Sequence, residues 1–230
     1  MTLEEFAEDI WITDGPEIVA AAGFHYPTRA AVIRLADQSL FVWSPIELDQ
    51  ALRDAVNELG EVKYLIAPNN LHHSFLAEWR HAYPLAKLYA APGLVSKRED
   101  LKFDGILGDT PNMEWVDQID QVVADGNVLT NEVVFYHRKS RTVLFTDLLQ
   151  QMPKDWYRGW RRIVAMLDLM TEDQPTVPRK FRLAFKDRKA ARQAIDKIES
   201  WPSEKVLMAH GTPVHSNGQQ FIKDAFNWLK

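Results

Sequence analysis

Residues 62–79 read VKYLIAPNNLHHSFLAEW, an apolar run followed by a proline, two asparagines and two adjacent histidines. The run VKYLIA is typical of a buried strand, and the residues after Ser74 have the apolar spacing of a helix. His72 and His73 are therefore predicted to lie in the turn between a strand and a helix. Binding sites of α/β proteins are often built at such strand ends, because rigid strands aim polar residues into one crevice.

Two later strand patterns also end in residues that can bind a metal. The hairpin pattern NEVVFYHRKSRTVLFTD ends in Asp147, and the strand pattern KVLMAH ends in His210 before a glycine. Imidazole nitrogens and a carboxylate suit Zn²⁺, iron or Mn²⁺. Spacing alone leaves a simpler interpretation open, in which Asp147 caps a turn and His210 bonds only to the backbone.

The rest of the chain alternates between strand and helix patterns. IWITDG, AAVIRLA and SLFVWS are predicted strands, and SPIELDQALRDAVNELG is a predicted helix with Ser44 as N-cap, Pro45 at its first position and Gly60 at its end. Further helices are predicted over 155–170, in DRKAARQAIDKIESW and in QQFIKDAFNWLK, while TEDQPTVPRKF is a predicted surface connection. Without a repeat or a linker, we predict one domain over 1–230, of class α/β (α+β).

Composition narrows the class of protein and its partners. The net charge of −5 argues against a nucleic-acid partner, and the lack of cysteine excludes disulfides and thiolate zinc sites. The acidic N-terminus and the lack of a long apolar run lead us to expect a cytoplasmic protein with a small-molecule ligand and no membrane partner. The basic and aromatic segment around Trp160, with Arg158, Arg161 and Arg162, is interpreted as a solvated helix face.

The order of these elements resembles the metallo-β-lactamase-like superfamily, which includes hydroxyacylglutathione hydrolases and ribonuclease Z-like enzymes. More narrowly, NLHHSFLAEWRHAYP, with YPTR and DGILGDTP on either side, resembles an uncharacterised domain-of-unknown-function family of that superfamily, from about Ile10 to Leu229. The resemblance implies a four-layer αββα sandwich of two mixed β-sheets, with helices on both outer faces and the site at one edge between the sheets. The narrower family resemblance carries no established activity.

The superfamily's metal motif, H-x-H-x-D-H, falls on residues 68–73 of this sequence. Pro68 and Asn70 stand where its first two histidines would be, His72 replaces its aspartate, and His73 keeps its last histidine. The superfamily's middle histidine would fall near Val128 and is absent, so every ligand unique to the first of its two metals is missing. The resemblance therefore implies a single metal with four ligands, which are His72, His73, Asp147 and His210.

The function implied is a mononuclear metal-dependent hydrolase of a small ester, lactone, thioester or phosphoester. Asp147 and His73 would be its catalytic residues, and Asn70 would contact the substrate. Zinc is the favoured ion, with iron and manganese as alternatives, and a vestigial site would hold none. Four protein ligands can also close a tetrahedral zinc site, which would make the metal structural.

Two other functions are compatible with the sequence. The loss of the first metal's ligands also fits a non-catalytic protein of the same fold that serves as a binding module. Redox chemistry at an iron centre is the third interpretation. The sequence leaves the substrate and the oligomeric state open.

Overall fold

The computed structural model describes residues 1–230, which form two β-sheets and six α-helices. The first sheet has seven strands in sequential order: β1 Glu4–Ala7, β2 Ile10–Val19, β3 His25–Arg34, β4 Leu40–Trp43, β5 Val62–Ala67, β6 Lys87–Ala90 and β7 Gly105–Ile106. The second sheet has the order β11-β10-β9-β8, with β8 Ile119–Ala124, β9 Glu132–His137, β10 Thr142–Gln150 and β11 Lys205–His210. The helices are α1 Gln50–Leu59, α2 Leu76–Ala82, α3 Trp160–Leu167, α4 Arg179–Ala184, α5 Arg188–Ser200 and α6 Gly218–Ala225. None of them has the length and apolar character needed to cross a membrane.

Both sheets are mixed, as the sequence predicted. In the first sheet β1 to β4 pair antiparallel, and β4 to β7 pair parallel. In the second sheet only the pair of β10 and β11 is parallel. The parallel pairs need crossovers, and α1 and α2 provide two of them in the first sheet.

Alternating side chains divide the core into three apolar layers. In β4, Phe41 and Trp43 pack between the two sheets, whereas Leu40 and Val42 pack beneath α1 and α2. The outer face of the second sheet is covered in the same way by α5 and α6. Because successive strand residues point to opposite faces, every central strand supplies two layers. The predicted αββα sandwich is confirmed, and α1 and α6 cover opposite sheets.

The start of α1 differs from the prediction. The helix begins at Gln50, and the N-cap is Asp49, whose carboxylate accepts the backbone N–H of Leu52 at 2.7 Å. Ser44 has a left-handed φ of 53° instead, and its hydroxyl is bonded to a histidine. The predicted end of the helix at Gly60 is confirmed.

Two other segments are also corrected. The helix predicted over 155–170 begins only after Gly159, which has a φ of 57° and precedes α3. The predicted surface connection TEDQPTVPRKF contains the start of α4, and its Val177 and Phe181 are buried in the layer beneath α5 and α6. Burial of these two apolar side chains holds the segment against the core, although its prolines and charges predict a surface loop.

A buried hydrogen-bond chain closes the hairpin between β9 and β10. His137 Nδ1 lies 2.8 Å from Ser140 Oγ, which donates to Thr142 Oγ1 at 2.8 Å. The His137 residue is 2% exposed, and burial lowers the pKa of its imidazole from 6.5 to about 4. The ring is therefore neutral in the folded protein at neutral pH. Protonation at acidic pH would place a positive charge on a buried side chain, which destabilises the folded state.

We expect His137 to make the folded state sensitive to acid. Because the pKa of this group is lower in the folded than in the unfolded chain, its contribution is complete above pH 6.5 and is lost as the pH falls towards about 4. At about 1.4 kcal/mol per pKa unit, the loss amounts to about 3 kcal/mol of the free energy of unfolding. Urea denaturation of wild type and His137→Gln across this pH range measures it. The variant should lose this part of the pH dependence, whereas His81→Gln, on the exposed side of α2, should keep the wild-type profile.

Candidate metal centre

Three ligand-type side chains converge at one edge between the two sheets. His72 lies in the turn after β5, Asp147 lies within β10, and His210 is the last residue of β11. Their potential ligand atoms all lie within 4.8 Å of one another. His72 Nε2 is 3.1 Å from His210 Nε2 and 3.2 Å from Asp147 Oδ2, and His210 Nε2 is 3.5 Å from Asp147 Oδ1.

The structure does not bring His73 into this group. Its Nδ1 faces the Arg98 guanidinium at 3.3 Å, and the same guanidinium donates to the His73 carbonyl at 2.6 Å. Burial, with the positive charges of Lys97 and Arg98, lowers the pKa of His73. The group therefore has three members instead of the four expected from the motif.

The positions of the missing ligands hold no metal-binding side chain. Asn70 Oδ1 is buried and has no hydrogen-bond partner within the chain. The contact of Asn70 with substrate stays a prediction. The Pro68 carbonyl accepts the backbone N–H of Val133 at 2.7 Å, which ties this turn to β9. Val128 is 68% exposed. These three positions contribute no ligand to the group.

The histidine of β11 is held in one tautomer. His210 Nδ1 lies 2.7 Å from the carbonyl oxygen of Pro27. A carbonyl can only accept, so Nδ1 carries the hydrogen and donates it, and a neutral His210 presents the lone pair of Nε2 to the group. Donation by the second nitrogen to a backbone carbonyl is the usual support of a metal-binding histidine.

The partner of His72 allows two proton arrangements. Ser44 Oγ lies 2.8 Å from His72 Nδ1, and a hydroxyl can either accept from or donate to that nitrogen. If Ser44 accepts, Nε2 is free to bind a metal ion. If Ser44 donates, Nε2 carries the hydrogen and donates it to Asp147 or His210. Burial lowers the pKa of His72, and the negative charge of Asp147 opposes this effect only in part.

Asn69 connects two of the three members. It is fully buried, and its amide nitrogen donates to Asp147 Oδ2 at 2.6 Å and to Thr146 Oγ1 at 2.9 Å. Its amide oxygen accepts the backbone N–H groups of Leu71 and His72, both at 2.8 Å. One side chain thus forms the turn that carries His72 and also orients the Asp147 carboxylate.

Glu132 supports the backbone that carries Asp147. The pairing of β10 with β11 is interrupted between Phe145 and Gln150, so the amides of 146–148 are not paired by a regular ladder. The fully buried carboxylate of Glu132 accepts the N–H groups of Thr146, Asp147 and Leu148 at 2.7, 2.7 and 3.0 Å. Burial and the charge of Asp147 raise the pKa of Glu132 to about 7.

The Asp147 carboxylate is ionised at neutral pH. Burial would raise its pKa, but the imidazoles of His72 and His210 outweigh this and hold the pKa well below its ordinary value. Its second oxygen, Oδ1, accepts from Gln150 Nε2 at 3.1 Å. One carboxylate with two imidazole nitrogens is a donor set that fits a divalent zinc, iron or manganese ion.

The approach to the site is narrow. His72, His73 and Ser44 line a small pocket together with residues of β2 and β3, and the ring of Tyr26 lies 5.5 Å from that of His210. A groove of about 800 Å³ lies elsewhere, between residues 169–176 and 214–225. None of the three converging side chains lines that groove, so the groove and the candidate metal centre are separate features.

The sandwich architecture defines the fold class of the protein. Metallo-β-lactamases from Pontibacter korlensis and Hirschia baltica superpose on the chain with TM-scores of 0.65 and 0.64, at 11% and 12% identity. Both alignments cover 99% of this chain, with 98% and 96% of the other. FIM-1 from Pseudomonas aeruginosa in the mono-zinc form gives a TM-score of 0.62 at 10% identity, covering 99% of this chain and 95% of that one. The protein has the metallo-β-lactamase fold.

The sequence also assigns the chain to a protein family. The family described as domain of unknown function DUF4336 matches residues 7–158, so the chain belongs to this family. The resemblance seen in the sequence is thereby confirmed. No curated protein matches the chain.

We expect Glu132→Gln to destabilise the fold by about 2 kcal/mol, because a neutral amide offers one acceptor oxygen where the carboxylate offers two and leaves a buried N–H unpaired. Urea denaturation at neutral pH measures the change. The matched variant Glu61→Gln, at an exposed position before β5, should stay within about 0.5 kcal/mol of wild type. Equal stability of Glu132→Gln and wild type would contradict the role given to Glu132.

Proposed function

We propose that the protein is a mononuclear metal-dependent hydrolase of a small ester, lactone, thioester or phosphoester. The observation that carries the proposal is the convergence of His72, Asp147 and His210, with ligand atoms within 4.8 Å of one another. Three protein ligands with an open fourth position are the pattern of catalytic zinc, whereas four close a structural site. The separation of His73 from the group therefore favours a catalytic ion.

Two imidazoles and one carboxylate, each held by a hydrogen bond, are suitable ligands for a divalent ion. His72 and His210 would hold the ion through Nε2, and Asp147 through its carboxylate. When bound, such an ion supplies Lewis acidity, which polarises a carbonyl or phosphoryl oxygen and lowers the pKa of water. The mono-zinc form of FIM-1 from Pseudomonas aeruginosa is one example of this fold with a single zinc.

The chain's own groups provide orientation and a hydrogen-bond donor. Pro27 and Asn69 hold His210 and Asp147 in position through their hydrogen bonds. His73 lines the same small pocket as His72, and its lowered pKa keeps the imidazole neutral at neutral pH. Because Arg98 can only donate to Nδ1 of this ring, its hydrogen lies on Nε2. In this proposal His73 donates a hydrogen bond to the substrate and is not a ligand. Gln150 Oε1, which is buried and has no partner in the chain, offers an acceptor for a water at the site.

The adjacent histidines supply a matched pair of variants for the metal. Wild type purified without added metal should contain one divalent ion per chain by mass spectrometry, and apoprotein should rebind Zn²⁺ in calorimetry. His72→Ala and His210→Ala should weaken this binding by at least about tenfold, because each removes a ligand. His73→Ala should bind metal as wild type does, because Nδ1 of this ring faces Arg98.

Two outcomes of the metal experiment contradict the assignment. Wild type that neither retains nor rebinds zinc, iron or manganese would overturn the metal-dependent function. Loss of metal from His73→Ala, with an unchanged melting temperature, would restore His73 as a ligand and with it the four-ligand site. Activity is then measured on ester, lactone, thioester and phosphoester substrates, with a chelator and Asp147→Asn as controls.

A non-catalytic binding module is the second candidate, and one observation favours it. With a hydrogen on Nε2, His72 can bridge to Asp147 Oδ2 and His210 Nε2 at 3.2 and 3.1 Å, so the three side chains can also bond to one another without an ion. On this alternative His72→Ala and Asp147→Asn lower the free energy of unfolding, and no substrate is turned over. A metal-dependent rate that Asp147→Asn abolishes would exclude it.

A further inference from the structure

Helix α3 turns its apolar face to solvent. Positions 160, 163, 164 and 167 lie on one side of the helix, because the helix repeats about every 3.6 residues. Their side chains, Trp160, Ile163, Val164 and Leu167, are 53%, 57%, 40% and 55% exposed, and Ala165 is the one buried residue of the helix. A surface helix ordinarily buries its apolar side against the core, so the orientation of α3 is reversed.

The exposed face continues onto the tip of the loop between β2 and β3. Val19 at this tip is 76% exposed, and the alanines that follow it are exposed as well. Arg161 Nε donates to the Ala22 carbonyl at 2.8 Å, and the Phe24 ring meets Trp160 edge-on at 5.7 Å. We call this continuous surface the apolar rim; its exposed side chains are Val19, Trp160, Ile163, Val164, Met166 and Leu167.

Positive charge borders the apolar rim. Arg158, Arg161 and Arg162 lie in or next to α3, and the helix contains no acidic residue, although the whole chain carries a net charge of −5. Arg161 is held by a carbonyl and by the ring of Trp160, not by a carboxylate. Arg162 lines a pocket that also contains Glu172 and Asp173, and Lys154 pairs with Asp173 there at 2.6 Å. Arg158 and Arg162 themselves take part in no ion pair within 4 Å, so both can bind an anionic partner.

We propose that the apolar rim docks on the surface of an anionic lipid membrane. An interfacial helix of this kind places Trp, Leu and Ile among the acyl chains, while arginines beside them reach the lipid phosphates. Trp160, Ile163, Val164 and Leu167 line none of the five principal grooves, and Met166 and Arg162 line only a polar pocket beside α3, so the outer face itself offers no apolar groove for a peptide helix. A symmetric pair of chains joined by this face would bring the arginines of both copies into one interface, where they repel.

The segment before α3 connects the apolar rim to the surroundings of the candidate metal centre. Trp156 Nε1 and Tyr157 Oη, in the segment before α3, donate to the His25 carbonyl at 3.1 and 2.8 Å, and Tyr26 next to it faces His210. The sequence leads us to expect no membrane partner, on the ground that no segment can span a bilayer. Binding in the plane of the membrane surface needs no such segment.

Vesicle sedimentation tests the proposal with the full chain. Vesicles of phosphatidylcholine with phosphatidylglycerol should bind wild type at least about tenfold more tightly than vesicles of phosphatidylcholine alone, because each basic residue at an anionic surface adds to affinity. High salt should weaken the binding, since it screens the arginines. Equal binding to both kinds of vesicle, or no binding to either, would overturn the proposal.

Variants assign the binding to the apolar rim. Ile163→Ser with Leu167→Ser, and separately Arg158→Gln with Arg162→Gln, should each reduce vesicle binding at least about fivefold. Leu85→Ser, which alters a 90% exposed leucine between α2 and β6, is the matched control and should bind as wild type does. His210→Ala should also bind normally, so this result is independent of the metal site. Melting temperatures check that all variants fold.

Light scattering after size exclusion separates the membrane from a second copy of the chain. Wild type and the double variant Ile163→Ser with Leu167→Ser should have the same oligomeric state. An oligomer that these substitutions dissociate, together with unchanged vesicle binding, would assign the apolar rim to self-association and overturn the proposal.

Discussion

The three hydrogen bonds from the backbone of β10 to Glu132 are the interaction on which the candidate site depends. A strand that leaves its ladder inside a protein exposes N–H groups to an apolar surrounding, and each one left unpaired costs about 1–3 kcal/mol. Here the irregularity falls at residues 146–148, where β10 parts from β11 and the carboxylate of Asp147 has to reach the gap between the sheets. A buried carboxylate is costly in turn, and the raised pKa of Glu132 reflects that cost. The fold thus uses one buried carboxyl group to hold another in place.

Asn69 extends the same support to the other sheet. Its amide joins the turn after β5, which belongs to the first sheet, to Asp147 of the second. The two sheets are also joined near the site by Arg29 of β3, whose guanidinium donates to the carbonyls of Met208 and Gly211 at 2.9 and 2.6 Å. His72 and His210 therefore belong to a rigid junction, and the distances between their nitrogens are set by backbone contacts on both sides.

The layers of the fold could be predicted from the sequence, and the details of the site could not. Alternation in short strands such as Leu40–Trp43 indicates two buried faces, which is enough to predict a sandwich covered by helices. Prediction fails at the start of α1 because Ser44 has the chemistry of an N-cap, yet its hydroxyl bonds to His72, 28 residues away. Likewise, adjacency makes His72 and His73 equivalent in sequence, and only the fold places Arg98 beside one of them. Residue type predicts local structure well when the partner is local, and poorly when the partner is distant.

The same distinction between chemistry and placement applies to the candidate site and to α3. Glu132 reads as one polar residue before an apolar strand, and Asn69 as half of a turn, because their partners lie 14 and 78 residues away. In α3 the periodicity predicts an amphipathic helix and does not indicate which face is inward, so the sequence favours the basic side as the solvated one. The fold places Arg161 against the β2–β3 loop and leaves Ile163 and Leu167 outside. Chemical groups can thus be identified from the sequence, whereas the function they share depends on contacts that only the folded chain brings about.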